Sequence, residues 1–365
     1  MAVSKQTKSA PKSQKIRLGV VGIGGIFKTV HAPALLKNPE VELVSVCDIV
    51  PGKAQEFADA NGVKQVYTDY RQLIQKDNLD AIDICTSNRF HSEIAIAALK
   101  AGLHVFTEKP DAINAVEARK MAQAAEASGK TLMAMRNNRF RPEAQFLKRL
   151  IAEGQAGDLY TGRCGWIRRR GIPGKGGWFT TKELSGGGPL IDLGVHMIDL
   201  AVWLMGNPRP VSVVGATYNK FANASLSDSA HSNFGEAKDD GVFDVEDLAT
   251  GFIRFANGAT LQIEFSWASN IAEETVFVEL RGSKAGFTLR NDELGVYTEM
   301  AGVLCDIKPR LAADQVGQHA RHLNHFIEVI QGRAEPMNRP EHGLHMIQIL
   351  MALYESAKTG KEVTL

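Results

Sequence analysis

Cysteine is scarce in this chain. Cys47, Cys85, Cys164 and Cys305 are the only four in 365 residues, and no two form a C-x-x-C pair. That excludes a disulfide framework and fits a reducing cytoplasm. Cys47 and Cys85 fall in apolar, strand-like runs, where cysteine acts as a small hydrophobe. Charge of one sign is lacking too: the net charge is +1, so no global field draws the chain to nucleic acid. No apolar run is long enough to span a membrane. There is no repeat period, no Walker G-x-x-x-x-G-K-[ST], no H-E-x-x-H and no G-x-S-x-G. What remains is an ordinary soluble composition, 44% hydrophobic and 23% charged, in a chain long enough for two full cores.

Residues 1–15 carry Lys5, Lys8, Lys12 and Lys15 and no acid, which reads as a disordered basic tail without the apolar stretch of a secretion signal. From Ile16, short apolar runs (IRLGVVG, VELVSVC, AIDICT, HVFTE, TLMAM) alternate with helical patterns such as Ala54–Asn61, Ser92–Ala101 and Ala115–Ser128. Such βαβ alternation predicts a mostly parallel sheet covered on both faces.

The first strand runs into Gly22-Ile23-Gly24-Gly25-Ile26-Phe27. Gly22 permits a tight turn, and Gly24 lets the backbone approach a pyrophosphate at the following helix N-terminus. Phe27 stands where G-x-G-x-x-G has its third small residue. The second strand ends at Asp48, an acid placed to accept hydrogen bonds from the adenosine ribose and to repel a 2′-phosphate; the same residue would also serve as a helix cap. This favours NAD over NADP, with Lys53 keeping the NADP reading open.

Gly186–Asp199 reads GGGPLIDLGVHMID. One helix from near Pro189 would carry Asp192, His196 and Asp199 on a single face, the residues between them being apolar. A lone histidine on a buried helix is most often structural. An acid and an imidazole entered through three flexible glycines, downstream of a nucleotide fold, point instead to chemistry. Asp199 is read as a structural pairing or capping residue, and His31 in the first helix as structural.

Thr86-Ser87-Asn88-Arg89-Phe90-His91 follows the fourth strand and Glu108-Lys109-Pro110 the fifth. With Gly186–Asp199, these resemble the glucose–fructose oxidoreductase/inositol dehydrogenase/MocA family, in order and from about Ile16 to the C-terminus. The resemblance implies an α/β protein with an N-terminal Rossmann dinucleotide-binding domain and a C-terminal α/β domain built on a large, mostly antiparallel sheet. It implies Lys109 as the catalytic lysine, and Asp192 and His196 as the acid and histidine of a D-x-x-x-H helix. Thr86, Asn88 and His91 would border the nicotinamide and its ribose, with Glu108 near that ribose and Pro110 a proline often cis. Ser87 replaces a commonly seen proline. The cofactor set is then Gly22, Gly24, Gly25, Ile26, Asp48, Thr86, Asn88, His91, Glu108 and Lys109.

Residue types supply the chemistry. Oxidising a secondary alcohol requires a base for the hydroxyl proton while hydride leaves its carbon. Neutral His196 suits that role, and the Lys109 ammonium can stabilise the developing alkoxide or share the proton. Asp192 would either bind a neighbouring hydroxyl or fix the imidazole.

From Asp158 longer alternating strands appear, including Val211–Tyr218, Ala249–Phe255, Thr260–Trp267 and Thr275–Arg281, with Asn257-Gly258 as a hairpin turn. One sheet face would carry the catalytic helix and the other a subunit interface, giving a homodimer or homotetramer as in the family. Residues 222–241 read as a long surface loop. Trp166–Phe179 (WIRRRGIPGKGGWF) is the expected specificity segment. Arg168, Arg169 and Arg170 alternate along a strand, so one or two reach a pocket. Trp178 would stack on a ring or simply pack, and Arg139 is a further pocket candidate. The substrate set is thus Lys109, Arg139, Trp166, Arg168, Arg170, Trp178, Asp192 and His196. His319, His322, His325, His342 and His345 have no completing ligands and read as helix-face residues, so no metal is expected. The chain divides into the tail (1–15), a NAD-binding domain (16–138) and a substrate-binding and oligomerisation domain (139–365). The reading is a cytoplasmic NAD-dependent sugar or polyol dehydrogenase, with no nucleic acid or membrane partner. Its rivals are a glycoside-cleaving enzyme that holds NAD for transient oxidation, and a non-catalytic regulatory protein on the same fold.

Overall fold

The computed structural model describes residues 15–365. Apart from Lys15, the basic tail expected over 1–15 lies outside the described residues. Six short apolar runs pair in parallel: β1 (Ile16–Val21), β2 (Val41–Cys47), β3 (Gln65–Tyr67), β4 (Ala81–Ile84), β5 (His104–Thr107) and β6 (Leu132–Ala134), in the order β3-β2-β1-β4-β5-β6. All four β4 residues are buried, as a strand covered on both faces requires. The order reverses between β1 and β4. In such sheets ligands bind beyond the strand C-termini at that switch point.

Nine strands form the second sheet: β7 (Leu159–Ile167), β8 (Pro210–Tyr218), β9 (Leu248–Phe255), β10 (Thr260–Ser266), β11 (Thr275–Gly282), β12 (Ala285–Arg290), β13 (Glu293–Met300), β14 (Val303–Ile307) and β15 (Val363–Thr364). Their order is β14-β13-β12-β11-β7-β10-β9-β8-β15, antiparallel except for the central β7–β10 pair. The expected Asn257-Gly258 turn joins β9 to β10, with Gly258 at φ +85°. The helices Gly194–Leu204 and Pro340–Thr359 cover one face of this sheet. On the other face stand Val214 and Phe252, the Arg163–Glu279–Arg290 ion pairs and the exposed Tyr297.

A single cut near residue 138 does not describe the packing. The helix Gln318–Ile330, expected in the second domain, sends Leu323, Phe326 and Ile327 into the core beneath β1 and β5, beside Phe27 and Phe106. The C-terminal segment returns because the first unit's outer helix layer leaves an apolar gap that this amphipathic helix closes. No single helix among the described residues is long and apolar enough to cross a membrane.

Candidate active site

The turn after β1 is set by sterics. Gly22 has φ +99°, and a Cβ there would meet the Cys85 carbonyl at 2.6 Å, so no other residue fits. At Gly24 and Gly25 an added Cβ would meet nothing within 4 Å: these glycines leave an open shelf in front of the helix. Asp48 closes β2 beside it. Its Oδ2 accepts the Ile23 amide at 2.8 Å and its Oδ1 the Val50 amide at 2.9 Å, so it braces the glycine turn and the turn that leads into the next helix, without capping that helix as expected. Lys53, in the first turn of that helix, is held 2.5 Å from Glu236 of the long 222–241 segment. That segment packs on its own chain, and its residues Ala230, His231 and Phe234 line the main cavity.

A cavity of about 340 Å³ opens where the Rossmann strand ends face the second sheet. Ile26, Thr86, Asn88, Glu108 and Lys109 line it from one side; Trp166, Arg168, Trp178, Asp192 and His196 line it from the other. Lys109 follows β5 and precedes a cis Lys109–Pro110 bond. Its Nζ donates to Asp192 Oδ1 at 2.7 Å and to the Asp192 carbonyl at 3.1 Å. Trp267 Nε1 donates to Asp192 Oδ2 at 3.0 Å. Burial raises the Asp192 pKa, but the Lys109 and Arg168 charges and these hydrogen bonds outweigh it and hold the carboxyl at about 2. For His196, burial and the Lys109 charge push the imidazole down to about 3, against the opposing pull of Asp192. It is therefore a neutral acceptor across the physiological range.

The helix of Asp192 and His196 is not continuous. It breaks at Leu193 into Pro189–Asp192 and Gly194–Leu204. Asp192 and His196 still face one cavity, but Asp199 leaves the expected common face. Asp192 turns to Lys109, whereas Asp199 points away to Arg136 at 3.0 Å and Arg139 at 2.7 Å. The glycines ahead of the helix are closely packed. A Cβ on Gly187 would overlap the Tyr354 hydroxyl, and one on Gly188 the Glu246 carbonyl, each at 2.0 Å. They are small so that Glu246 can approach and accept the Gly188 and Leu190 amides.

Other placements differ from expectation. Arg139 is 1% exposed and spent on Asp199 and the Met337 carbonyl, outside the main cavity, because the Asp199 carboxylate captures it. Arg170 leaves the pocket as well: it stacks on Phe221 and donates to Ser269 O and Asn270. Arg169 pairs with exposed Asp228. Of the run only Arg168 reaches the cavity, 5.0 Å from the Trp166 ring, with its buried Nε unpartnered. His91 does not line the cavity. Its ring nitrogens sit on the Pro110 carbonyl at 2.7 Å and the Thr86 carbonyl at 3.0 Å, clamping the two loops together. Trp178 lines the cavity while stacked on Phe179. His319 and His231, which sequence pattern did not single out as site residues, both face it. The three-residue histidine spacing was the visible signal for His319, but His322 of the same run is buried on Asn338.

A dinucleotide fits this arrangement. The open shelf at Gly24 and Gly25 leads from Asp48 to the lysine, with Thr86, Asn88 and Glu108 along the way.

Comparison with known proteins agrees with the geometry. Residues 16–135 match the family model described as an oxidoreductase family with a NAD-binding Rossmann fold, and residues 144–288 match the model of the GFO/IDH/MocA C-terminal domain. The chain is 37% identical over 359 residues to D-glucoside 3-dehydrogenase of Escherichia coli K12, covering 98% of this chain and 100% of that protein. It is 28% identical to levoglucosan dehydrogenase of Pseudarthrobacter phenanthrenivorans over 78% of this chain and 76% of that one. A solved structure of levoglucosan dehydrogenase in complex with NADH shares the fold at a TM-score of 0.82, with 24% identity, covering 96% of this chain and 99% of that one. The chain belongs to the GFO/IDH/MocA family of oxidoreductases with a NAD-binding Rossmann fold.

Proposed function

We propose that this protein is a NAD-dependent dehydrogenase acting on a secondary ring hydroxyl of a sugar, with D-glucosides oxidised at C3 the first candidates. The observation that carries the reading is the Lys109 ammonium, held by Asp192 in a cavity that His196 shares. The bound nicotinamide supplies the chemistry of hydride acceptance or donation. The protein's part is to manage one proton and one developing charge. His196 has no hydrogen-bond partner on its ring among the described residues, and as a neutral base it takes the hydroxyl proton. Lys109 donates to the same oxygen and stabilises the alkoxide. Asp192 is the anchor of Lys109, a role beside the two open from sequence, which were binding a neighbouring hydroxyl and fixing the imidazole. Arg168 brings its guanidinium to a neighbouring hydroxyl. The glucoside assignment follows the 37% identity to the Escherichia coli enzyme over nearly the whole chain.

NAD is the preferred cofactor. Asp48 meets the ribose, and Lys53, the nearby cation that would welcome a 2′-phosphate, is engaged by Glu236. The open face of the nine-stranded sheet pairs with a second copy, giving a dimer or tetramer that sedimentation would reveal. Buried, unpaired Cys47, Cys85 and Cys164 fit a cytoplasmic setting. The test is nicotinamide absorbance against glucosides, free sugars, inositols and sugar acids, with both cofactors. Stoichiometric NADH with a ring ketone supports a net dehydrogenase. Glycoside cleavage without free NADH transfers the reading to transient oxidation. Sugar binding without either would leave only a regulatory role, against which the intact Lys109, Asp192 and His196 argue.

A further inference from the structure

His31 lies at the end of a widened helical turn, Phe27–His31, that follows the glycine shelf. It is fully buried, and both ring nitrogens meet carboxylates: Nδ1 stands 2.8 Å from Asp83 Oδ2 and Nε2 2.8 Å from Glu108 Oε1. Ionised carboxylates only accept hydrogen bonds, so a ring bridging two of them must carry both protons. Asp83 is 1% exposed, and its second oxygen takes the Cys85 thiol. Phe106 packs edge-on at 6.1 Å and keeps water away. The second oxygen of Glu108 accepts the Lys109 amide at 3.0 Å. One unbroken line thus runs Asp83–His31–Glu108–Lys109–Asp192–Trp267, from strand β4 of the Rossmann sheet to the residue that follows β10 of the second.

We propose that His31 is a positioning residue: as an imidazolium bridging Asp83 and Glu108, it fixes the Glu108–Lys109 peptide and so aims the Lys109 ammonium at the reacting oxygen. The proposal rests on the dehydrogenase reading for its consequence, though not for its geometry. Burial alone would strip His31 of its charge, but Asp83, with Cys85 adding, raises its pKa well above the ordinary value. Glu108 is held well below the carboxylate range: burial opposes this, and His31, Lys109 and His319 overcome it. The groups around the imidazole are therefore Asp83 and Cys85 from β4 and its end, Glu108 after β5, and the charge of His319 from the helix Gln318–Ile330. Removing the charge of His31 would leave two buried carboxylates without the cation between them. Glu108 would then move or take up a proton, and its hold on the Lys109 amide would loosen. A shift near 1 Å at a reacting group costs on the order of 10²-fold in rate.

The experiment pairs Asp83→Asn with His31→Gln in the full chain. Asp83→Asn keeps an acceptor for the Nδ1 proton and removes the pinning charge. In ¹⁵N-histidine NMR of wild type, His31 is expected to stay doubly protonated from pH 6 to 9, and in Asp83→Asn to titrate within that window. With a sugar substrate in hand, kcat of Asp83→Asn should fall as pH rises through that midpoint, with KM for NAD and sugar within threefold. His31→Gln should lose about 10²-fold in kcat with the same KM pattern. A neutral His31 in wild type at pH 7 overturns the bridge. A titrating His31 with unchanged kcat overturns the positioning role. If wild type turns over no sugar, the dehydrogenase reading fails on its own, while the NMR titration still decides the bridge.

Discussion

The Lys109 ammonium stands 2.7 Å from Asp192 Oδ1 while the Trp267 indole occupies Oδ2 at 3.0 Å. Each carboxylate oxygen is engaged by a donor, one from each domain, so the group serves the lysine. Asp192→Asn has one acceptor oxygen for two donors and must turn its amide group toward one of them. We expect kcat to fall about 10²-fold, with NAD affinity within threefold. Steady-state kinetics with a fluorescence titration of NAD would check this, and an unchanged kcat would remove Asp192 from the site.

His196 is half-buried at the cavity wall and neutral down to about pH 3. His196→Ala removes the proton acceptor but touches no residue of the glycine shelf. A loss of about 10²–10⁴-fold in kcat is expected, with NAD binding retained. A primary deuterium isotope effect on the residual rate would show that chemistry has become limiting. Turnover near the wild-type value would shift the proton to Lys109.

Much of this was legible in the sequence, because its physics is local. Gly22 needs its positive φ, Asp48 ends a strand, and β4 and β5 read as apolar runs before Thr86 and Lys109. What failed was long-range. Nothing near Arg139 in sequence announces that Asp199, sixty residues on, will claim it. The i, i+4 spacing put Asp192 and His196 at one cavity, but the break at Leu193 and the capture of Asp199 by Arg136 and Arg139 are beyond what periodicity can register. The helix Gln318–Ile330 shows its amphipathic face plainly, but not which core receives it.

Two arginines expected to share one role should separate on mutation. Arg168→Met removes the guanidinium from the cavity wall, so KM for sugar should rise about tenfold while stability changes little. Arg139→Met strips Asp199 of one buried partner and should cost about 3 kcal/mol of stability, with KM unchanged once folded. Denaturant melts and kinetics on both variants check the split. The reverse pattern would restore Arg139 to the pocket.

Asp48 carries two amides and, in our reading, a ribose. Asp48→Asn retains one strong acceptor and loses the charge. The expected result is a tenfold or greater fall in kcat/KM for NAD, with the NAD to NADP preference narrowed. Combining it with Glu236→Gln, which frees Lys53, should narrow the preference further. Wild-type enzyme that already prefers NADP would contradict the role given to Asp48.

Stability against pH should report the histidines whose pKa the fold lowers. His196 is pushed down to about 3 and His342 to about 4, in both cases chiefly by burial. The unfolded chain binds protons at such side chains below about pH 6.5, where the native state refuses them. Stability is thus present above 6.5 and lost progressively as pH falls toward the native values. Asp192, lowered to about 2, has the ordinary carboxylate sign and adds loss only below about pH 4. His31 has the opposite sign: its raised pKa contributes below 6.5 and is lost as pH rises through its native value, so it cannot produce the acid limb. Thermal midpoints should therefore decline already between pH 6.5 and 4.5, before the carboxylates titrate. His342→Gln should make that decline shallower, whatever its effect at pH 8. Thermal melts of both proteins across pH 4.5–8 measure the slopes, and a wild-type midpoint flat down to pH 4.5 would show that these imidazoles are not held neutral by the fold.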